Sequence, residues 1–172
     1  IEVLHEDTGV DGPAEIIEIV RDEVKLEEQA AKSRIIEVPD EKNQMVKVGV
    51  IELPVFYLDF NGRAQNLPDY RSSTRDVKKL IEEMKTQDIK GLIVDLRNNG
   101  GGSLLEATTL TGLFIDEGPI VQVRNSSGRI STEEDTDPGQ AWDGPLAVLV
   151  NRYSASASEI FAAAIQDYGR GL

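Results

Sequence analysis

Twice in this sequence a short apolar run stops at a cluster of very small residues and is followed by a helical pattern. No other feature restricts the fold as much. The first copy runs Gly91-Leu92-Ile93-Val94-Asp95-Leu96, then Arg97-Asn98-Asn99-Gly100-Gly101-Gly102, then Ser103-Leu104-Leu105-Glu106-Ala107. The second runs Pro145-Leu146-Ala147-Val148-Leu149-Val150, then Asn151-Arg152-Tyr153-Ser154-Ala155-Ser156-Ala157-Ser158, then Glu159-Ile160-Phe161-Ala162-Ala163-Ala164-Ile165. Continuous apolar runs of this length suit strands buried on both faces. Strands that alternate with helices in this way build an α/β fold with a parallel sheet. Both turns then lie at the carboxyl ends of their strands and face one crevice.

The two turns carry different chemistry. Ser103 and Ser156 each stand three residues before a glutamate, Glu106 and Glu159, which is capping-box spacing. A helix-capping serine is the plain reading of either one. Around Ser156, however, the residues are small enough for a substrate chain to come close. The free N–H groups and partial positive charge of a helix start also favour an alkoxide or an oxyanion there. The three glycines of the other turn expose bare backbone amides, which can form an anion-binding nest; a flexible turn is the alternative. Gly169 suits the position just past the end of the second helix.

Composition narrows the chemistry further. The chain has no cysteine, which removes thiol nucleophiles, disulfides and Cys-based metal sites. Its one histidine, His5, lies at the far N-terminal end and reads as a surface residue. A Ser-His-Asp triad and a histidine metal site are therefore disfavoured, and no metal or other cofactor is expected. A net charge of −13 argues against nucleic acid as a partner, and no apolar run approaches the length of a membrane span.

The rest of the chain reads in order. Residues 1–4 and 15–20 form a hairpin around a turn-rich loop. Residues 21–33 are a charged linker with at most a weak helical pattern. Residues 34–38 and 45–53 alternate as an antiparallel hairpin. Phe56 and Tyr57 pack in the core, and 59–72 is a surface loop. Ser73-Thr74-Arg75-Asp76 caps a helix whose Val77, Leu80, Ile81 and Met84 share one face. The next helix, 103–115, is apolar on most sides. Residues 119–123 form a strand, and 129–131 pair back on it. Residues 132–143 are a solvated acidic loop, without the spacing of a calcium loop, and Trp142 packs at its base.

The pairing of D-L-R-N-N-G-G-G with S-A-S-A-S-E-I-F-A-A-A-I-Q-D-Y resembles the tail-specific proteases, or C-terminal processing peptidases, and within them the periplasmic, gamma-proteobacterial type. The resemblance implies an α/β, ClpP/crotonase-like protease core over residues 34–172. It also implies a C-terminal PDZ remnant over 1–24, joined by a linker at 25–33. It makes Ser156 the nucleophile, gives the oxyanion to N–H groups of Gly101, Gly102 and Ala157, and casts Glu159 and Asp167 as supporting residues. In that family the general base is a lysine about two dozen residues beyond the serine. No lysine stands between Ser156 and Leu172, so this segment is expected to be inactive by itself. Substrates would be proteins with unstructured, apolar C-terminal tails. An unpaired sheet edge after Leu172 would favour dimers or strand exchange. The rival readings are a crotonase- or ClpP-like acyl-transfer enzyme and a binding module without chemistry.

Overall fold

A computed structural model describes residues 2–4, 12–18 and 29–172. His5, the loop at 6–11, residues 19 and 20 of the expected second strand, and the linker up to residue 28 lie outside the described residues. At the N-terminal end, β1 (Glu2–Val3) and β2 (Glu15–Ile16) pair antiparallel, with Glu2 opposite Ile16, as the alternation there suggested.

The main sheet has four strands in the order β3-β4-β5-β8. Here β3 is Lys32–Pro39, β4 is Met45–Glu52, β5 is Gly91–Asp95 and β8 is Leu146–Leu149. The expected hairpin of β3 and β4 is antiparallel, and it takes in Lys32 and Ser33, which the sequence left in the linker. Next to it, β4 and β5 pair parallel, as do β5 and β8. Both turns singled out in the sequence therefore leave the same edge of the sheet, at the carboxyl ends of β5 and β8. On the far side of β8, the Leu172 N–H donates to the Leu146 carbonyl (3.1 Å). The Val148 N–H donates to the Leu172 carbonyl (2.7 Å). That edge of β8 is thus partly paired by the chain's own last residue.

Three helices complete the core: α2 (Ser73–Lys85), α3 (Leu104–Gly112) and α4 (Ala157–Asp167), with α3 touching both of the others. Val77, Ile81 and Met84 bury the apolar face of α2, and Ala107 and Leu110 do the same for α3. Phe161 of α4 lies edge-on to Phe114 at 5.7 Å and 6.4 Å from Phe56. Those rings join α4 to the segment after β4, where Phe56 and Tyr57 are core residues as expected. Leu104, counted among the apolar residues of its helix, is exposed at the helix start. No helix among the described residues is long and apolar enough to cross a membrane.

Three further features depart from the sequence reading. Residues 59–72 are not all loop: α1 (Phe60–Ala64) forms a single turn because Asp59 Oδ1 accepts from the Gly62 N–H (2.9 Å). Residues 132–135 are not loop either. They belong to β7 (Ile130–Asp135), which pairs antiparallel with β6 (Gly118–Arg124), with Glu133 opposite Val121. The ladder closed by the Ser126-Ser127-Gly128 turn carries these acidic residues along despite their low strand preference. Trp142 does pack at the base of the remaining loop, where its Nε1–H donates to the Pro145 carbonyl (3.0 Å).

The third departure is Glu106. Ser103 caps α3 by accepting from the Glu106 N–H (3.4 Å), but the Glu106 carboxylate does not turn back to complete a capping box. It is buried and reaches the start of α2. There it accepts from Ser72 Oγ (2.8 Å), Ser73 Oγ (2.8 Å) and the Thr74 N–H (2.7 Å). An anion at that position meets the positive end of the α2 dipole. Glu106→Ala would leave these donors buried without their acceptor. It should lower stability by about 3 kcal/mol, read from urea denaturation; a loss under about 1 kcal/mol would show that water replaces the carboxylate.

Candidate active site

The site is built where the turns after β5 and β8 meet. Asp95, the last residue of β5, is almost fully buried and grips the first residue of its turn. Its Oδ1 accepts from Arg97 N–H (3.1 Å) and Nε (2.9 Å), and its Oδ2 from Arg97 Nη2 (2.6 Å). The Arg97 side-chain hydrogen bonds hold the Asp95 carboxyl below the usual carboxylate range, against the opposing effect of burial. One residue on, Asn98 takes a left-handed conformation (φ 63°). Its N–H donates to Asn151 Oδ1 (3.0 Å) and its Oδ1 accepts from Asn151 Nδ2 (2.9 Å). This reciprocal pair fastens the two turns at their mouths.

Asn99, with no exposed surface, fastens them deeper. Its Nδ2 donates to the Leu53 carbonyl just after β4 (2.8 Å), and its Oδ1 accepts from the Gly101 N–H (2.8 Å). Its carbonyl accepts from the Ala155 N–H (3.1 Å) and from Ser158 Oγ (2.9 Å). The flanking serines of the S-A-S-A-S run are thus occupied with backbone. Ser158 holds Asn99, and Ser154 Oγ donates to the Leu96 carbonyl (2.8 Å). The middle serine is the exposed one.

Ser156 has φ 54° and ψ −113°, a combination that side chains avoid and that glycine adopts freely. Its N–H donates to Glu159 Oε2 (2.6 Å), which helps to hold the turn. A serine kept in such a conformation at a strand-to-helix corner is the geometry of a nucleophile elbow. The glycine turn touches it: a Cβ on Gly101 would fall 2.8 Å from Ser156 Cβ and 3.1 Å from the Ala157 nitrogen. Serine and glycine turn are on the same side of the sheet, in contact.

Not every expected residue plays the part the sequence assigned to it. The Gly101 N–H is spent on Asn99, so it is not available to an oxyanion as the turn stands. The Gly102 and Ala157 N–H groups meet no protein acceptor among the described residues. Gly102 is fixed from behind by the Phe56 N–H on the Gly101 carbonyl (2.9 Å) and the Ser103 N–H on the Phe56 carbonyl (2.9 Å). Asp167 lies exposed at the far end of α4, about 15 Å along the helix from its start. No lysine or histidine side chain bonds Ser156 among the described residues. Asn99 and Asn151 were not singled out by the sequence, because asparagine in a polar turn is ordinary.

The glycines give a graded test. Gly101 (φ 108°) and Gly102 (φ 142°) hold conformations costly for alanine, and a Cβ on Gly102 would strike the Phe56 carbonyl. Gly101→Ala and Gly102→Ala should each cost about 1–3 kcal/mol in urea denaturation, and Gly100→Ala, with open space around it, less than about 0.5 kcal/mol. Equal losses at all three would contradict the packing. Asp95 gives a pH test. A carboxylate held below its ordinary value adds stability above the unfolded value of about 3.9 and loses it as pH falls through the folded value. Asp95→Asn should therefore destabilise at pH 7, with the difference from wild type shrinking below about pH 4.

Comparison with known proteins identifies the family. Residues 47–172 match the model of peptidase family S41. The chain is 48% identical over 161 residues to the tail-specific protease of Haemophilus influenzae, covering 94% of this chain and 21% of that protein. It is 34% identical over 163 residues to the carboxy-terminal-processing protease of Bartonella bacilliformis, covering 94% of this chain and 33% of the relative. Among solved structures, the photosystem II D1 C-terminal processing protease superposes with a TM-score of 0.65 at 28% identity, over 83% of this chain and 35% of that one. The chain spans between about a fifth and a third of the length of these curated relatives. The family-model match over residues 47–172 and the 48% identity to a tail-specific protease, on a mixed α/β fold like that of the C-terminal processing proteases, show that this chain belongs to peptidase family S41.

Proposed function

We propose that Ser156 is the nucleophile of a serine endopeptidase that cleaves proteins recognised by unstructured, apolar C-terminal tails. The observation that supports this most is the backbone of Ser156, exposed and strained at the corner into α4 and in contact with the glycine turn. In this reading Ser156 Oγ attacks the scissile carbonyl and gives its proton to a base. The carbonyl oxygen becomes an oxyanion that accepts from the Gly102 and Ala157 N–H groups at the start of α4. The same base then protonates the departing amine, and water releases the acyl group from Ser156 by the reverse proton path. Glu159 keeps the elbow in shape through the Ser156 N–H.

The base in this reading is a lysine, neutral because burial lowers its pKa, supplied from outside residues 1–172. Residues 1–172 alone should then hydrolyse peptides weakly or not at all. The core, residues 34–172, is read as ClpP/crotonase-like. Residues 1–24 are read as the end of a PDZ domain, a reading supported by the antiparallel pairing of β1 and β2. A periplasmic location follows the resemblance to the bacterial tail-specific proteases.

The test is Ser156→Ala in the complete protein, assayed on a folded substrate with an apolar C-terminal tag. Cleavage should fall by about 10⁴-fold or more, to the level left by the oxyanion donors alone. Retained cleavage would reject the assignment.

A further inference from the structure

Asn99 makes four hydrogen bonds across the site, and the proposed chemistry gives it no task. Its carboxamide meets two backbone groups of opposite kind. The Leu53 carbonyl needs a donor, and the Gly101 N–H needs an acceptor. An amide offers both from one planar group at any pH; an ionised Asp offers acceptors alone, and Leu offers neither. These contacts also fix which way the amide faces, because the opposite flip would set Nδ2 against the Gly101 N–H and Oδ1 against the Leu53 carbonyl. On its other side, the Asn99 carbonyl receives the Ala155 N–H and Ser158 Oγ, one residue before Ser156 and two after it. A single buried residue thus ties β4, the glycine turn and the serine elbow together.

We propose that Asn99 is a positioning residue for the peptidase: it sets the distance between the glycine turn and the Ser156 elbow, and with it the aim of the Gly102 and Ala157 N–H groups. This rests on the reading of Ser156 as nucleophile. By occupying the Gly101 N–H, Asn99 makes Gly101 a structural member of the turn and leaves Gly102 to face the oxyanion. Because the two donors belong to different turns, neither turn alone can hold their spacing. Asn99 holds it without touching substrate.

The experiment compares Asn99→Leu and Ser158→Ala with wild type in the complete protein. Asn99→Leu keeps the branched outline and the number of side-chain heavy atoms and removes the amide. Its kcat should fall about 10–100-fold with KM changed less than about threefold. Affinity for a peptide boronate, which binds as a tetrahedral adduct, should fall in step with kcat/KM, while affinity for the product peptide stays level. Ser158→Ala removes one of the two bonds onto the Asn99 carbonyl and should lower kcat about 3–10-fold. A purely structural role would lower the folded fraction and leave kcat per boronate-titrated site unchanged, which overturns the proposal. So does a folded Asn99→Leu protein with kcat within about threefold of wild type.

Should Asn99→Leu fail to fold, Ser158→Ala and amide exchange in wild type decide. The Gly101 amide should exchange at least about 100-fold more slowly than those of Gly102 and Ala157. Equal exchange at Gly101 and Gly102 would remove the geometric basis. The Ser156→Ala assay separates the two ideas. If Ser156→Ala still cleaves, the peptidase reading falls and the positioning role falls with it. If cleavage is lost and Asn99→Leu is normal, only the positioning role falls.

Discussion

The site depends on one buried amide. Asn99 binds the end of β4, the glycine turn and the serine elbow through four hydrogen bonds, with none of its surface in solvent. In a low-dielectric interior each of these bonds is strong, and each is costly to leave unmade. A network of this kind is all or nothing, because losing the amide would strand polar backbone on both sides. It lets two turns on neighbouring parallel strands behave as one rigid body. The Asn98–Asn151 pair at the mouth and the Asp95–Arg97 grip at the root of the first turn extend the same rigidity outward.

Rigidity matters because Ser156 is not relaxed. A serine at φ 54° and ψ −113° stays there only if its surroundings leave no alternative. Three things supply that constraint. Glu159 binds its N–H, the turn of Gly101 lies against its Cβ, and the two flanking serines are tied to the carbonyls of Leu96 and Asn99. The alternation of serine with alanine then has a physical sense. The outer serines anchor the turn, the alanines let backbone approach backbone, and the central serine is left exposed. Phe161 of α4 lies edge-on to Phe114 and tilted against Phe56, which joins the elbow's helix to the core.

Much of this could be read from the residues. Continuous apolar runs at 91–96 and 145–150, each leading into a helix, are enough to call for parallel strands with their turns at one edge. The spacing of Val77, Ile81 and Met84 marks the buried face of α2 without further help. Other features were hidden for identifiable reasons. Glu106 sits at capping-box spacing from Ser103, but its side chain goes to a second helix, a tertiary choice that no local pattern encodes. The acids at 133–135 look like loop until strand β6 is there to pair with them. Of two adjacent asparagines, one is exposed and left-handed and the other is wholly buried, and the sequence N-N does not say which. The same gap led to counting the Gly101 N–H as free. Knowing that a glycine is needed is different from knowing where its amide points.

The central claim is that the Gly102 and Ala157 amides, held apart by Asn99, face the oxyanion formed at Ser156, and that the Gly101 amide does not. The most direct measurement is a ¹⁵N–¹H titration of the complete protein with a peptide boronate or trifluoromethyl ketone, whose tetrahedral oxygen stands in for the oxyanion. The account predicts large downfield shifts of the Gly102 and Ala157 amide protons, with the Gly101 proton nearly still. A dominant shift at Gly101, or an adduct at Ser156 that leaves all three amides unmoved, would contradict it.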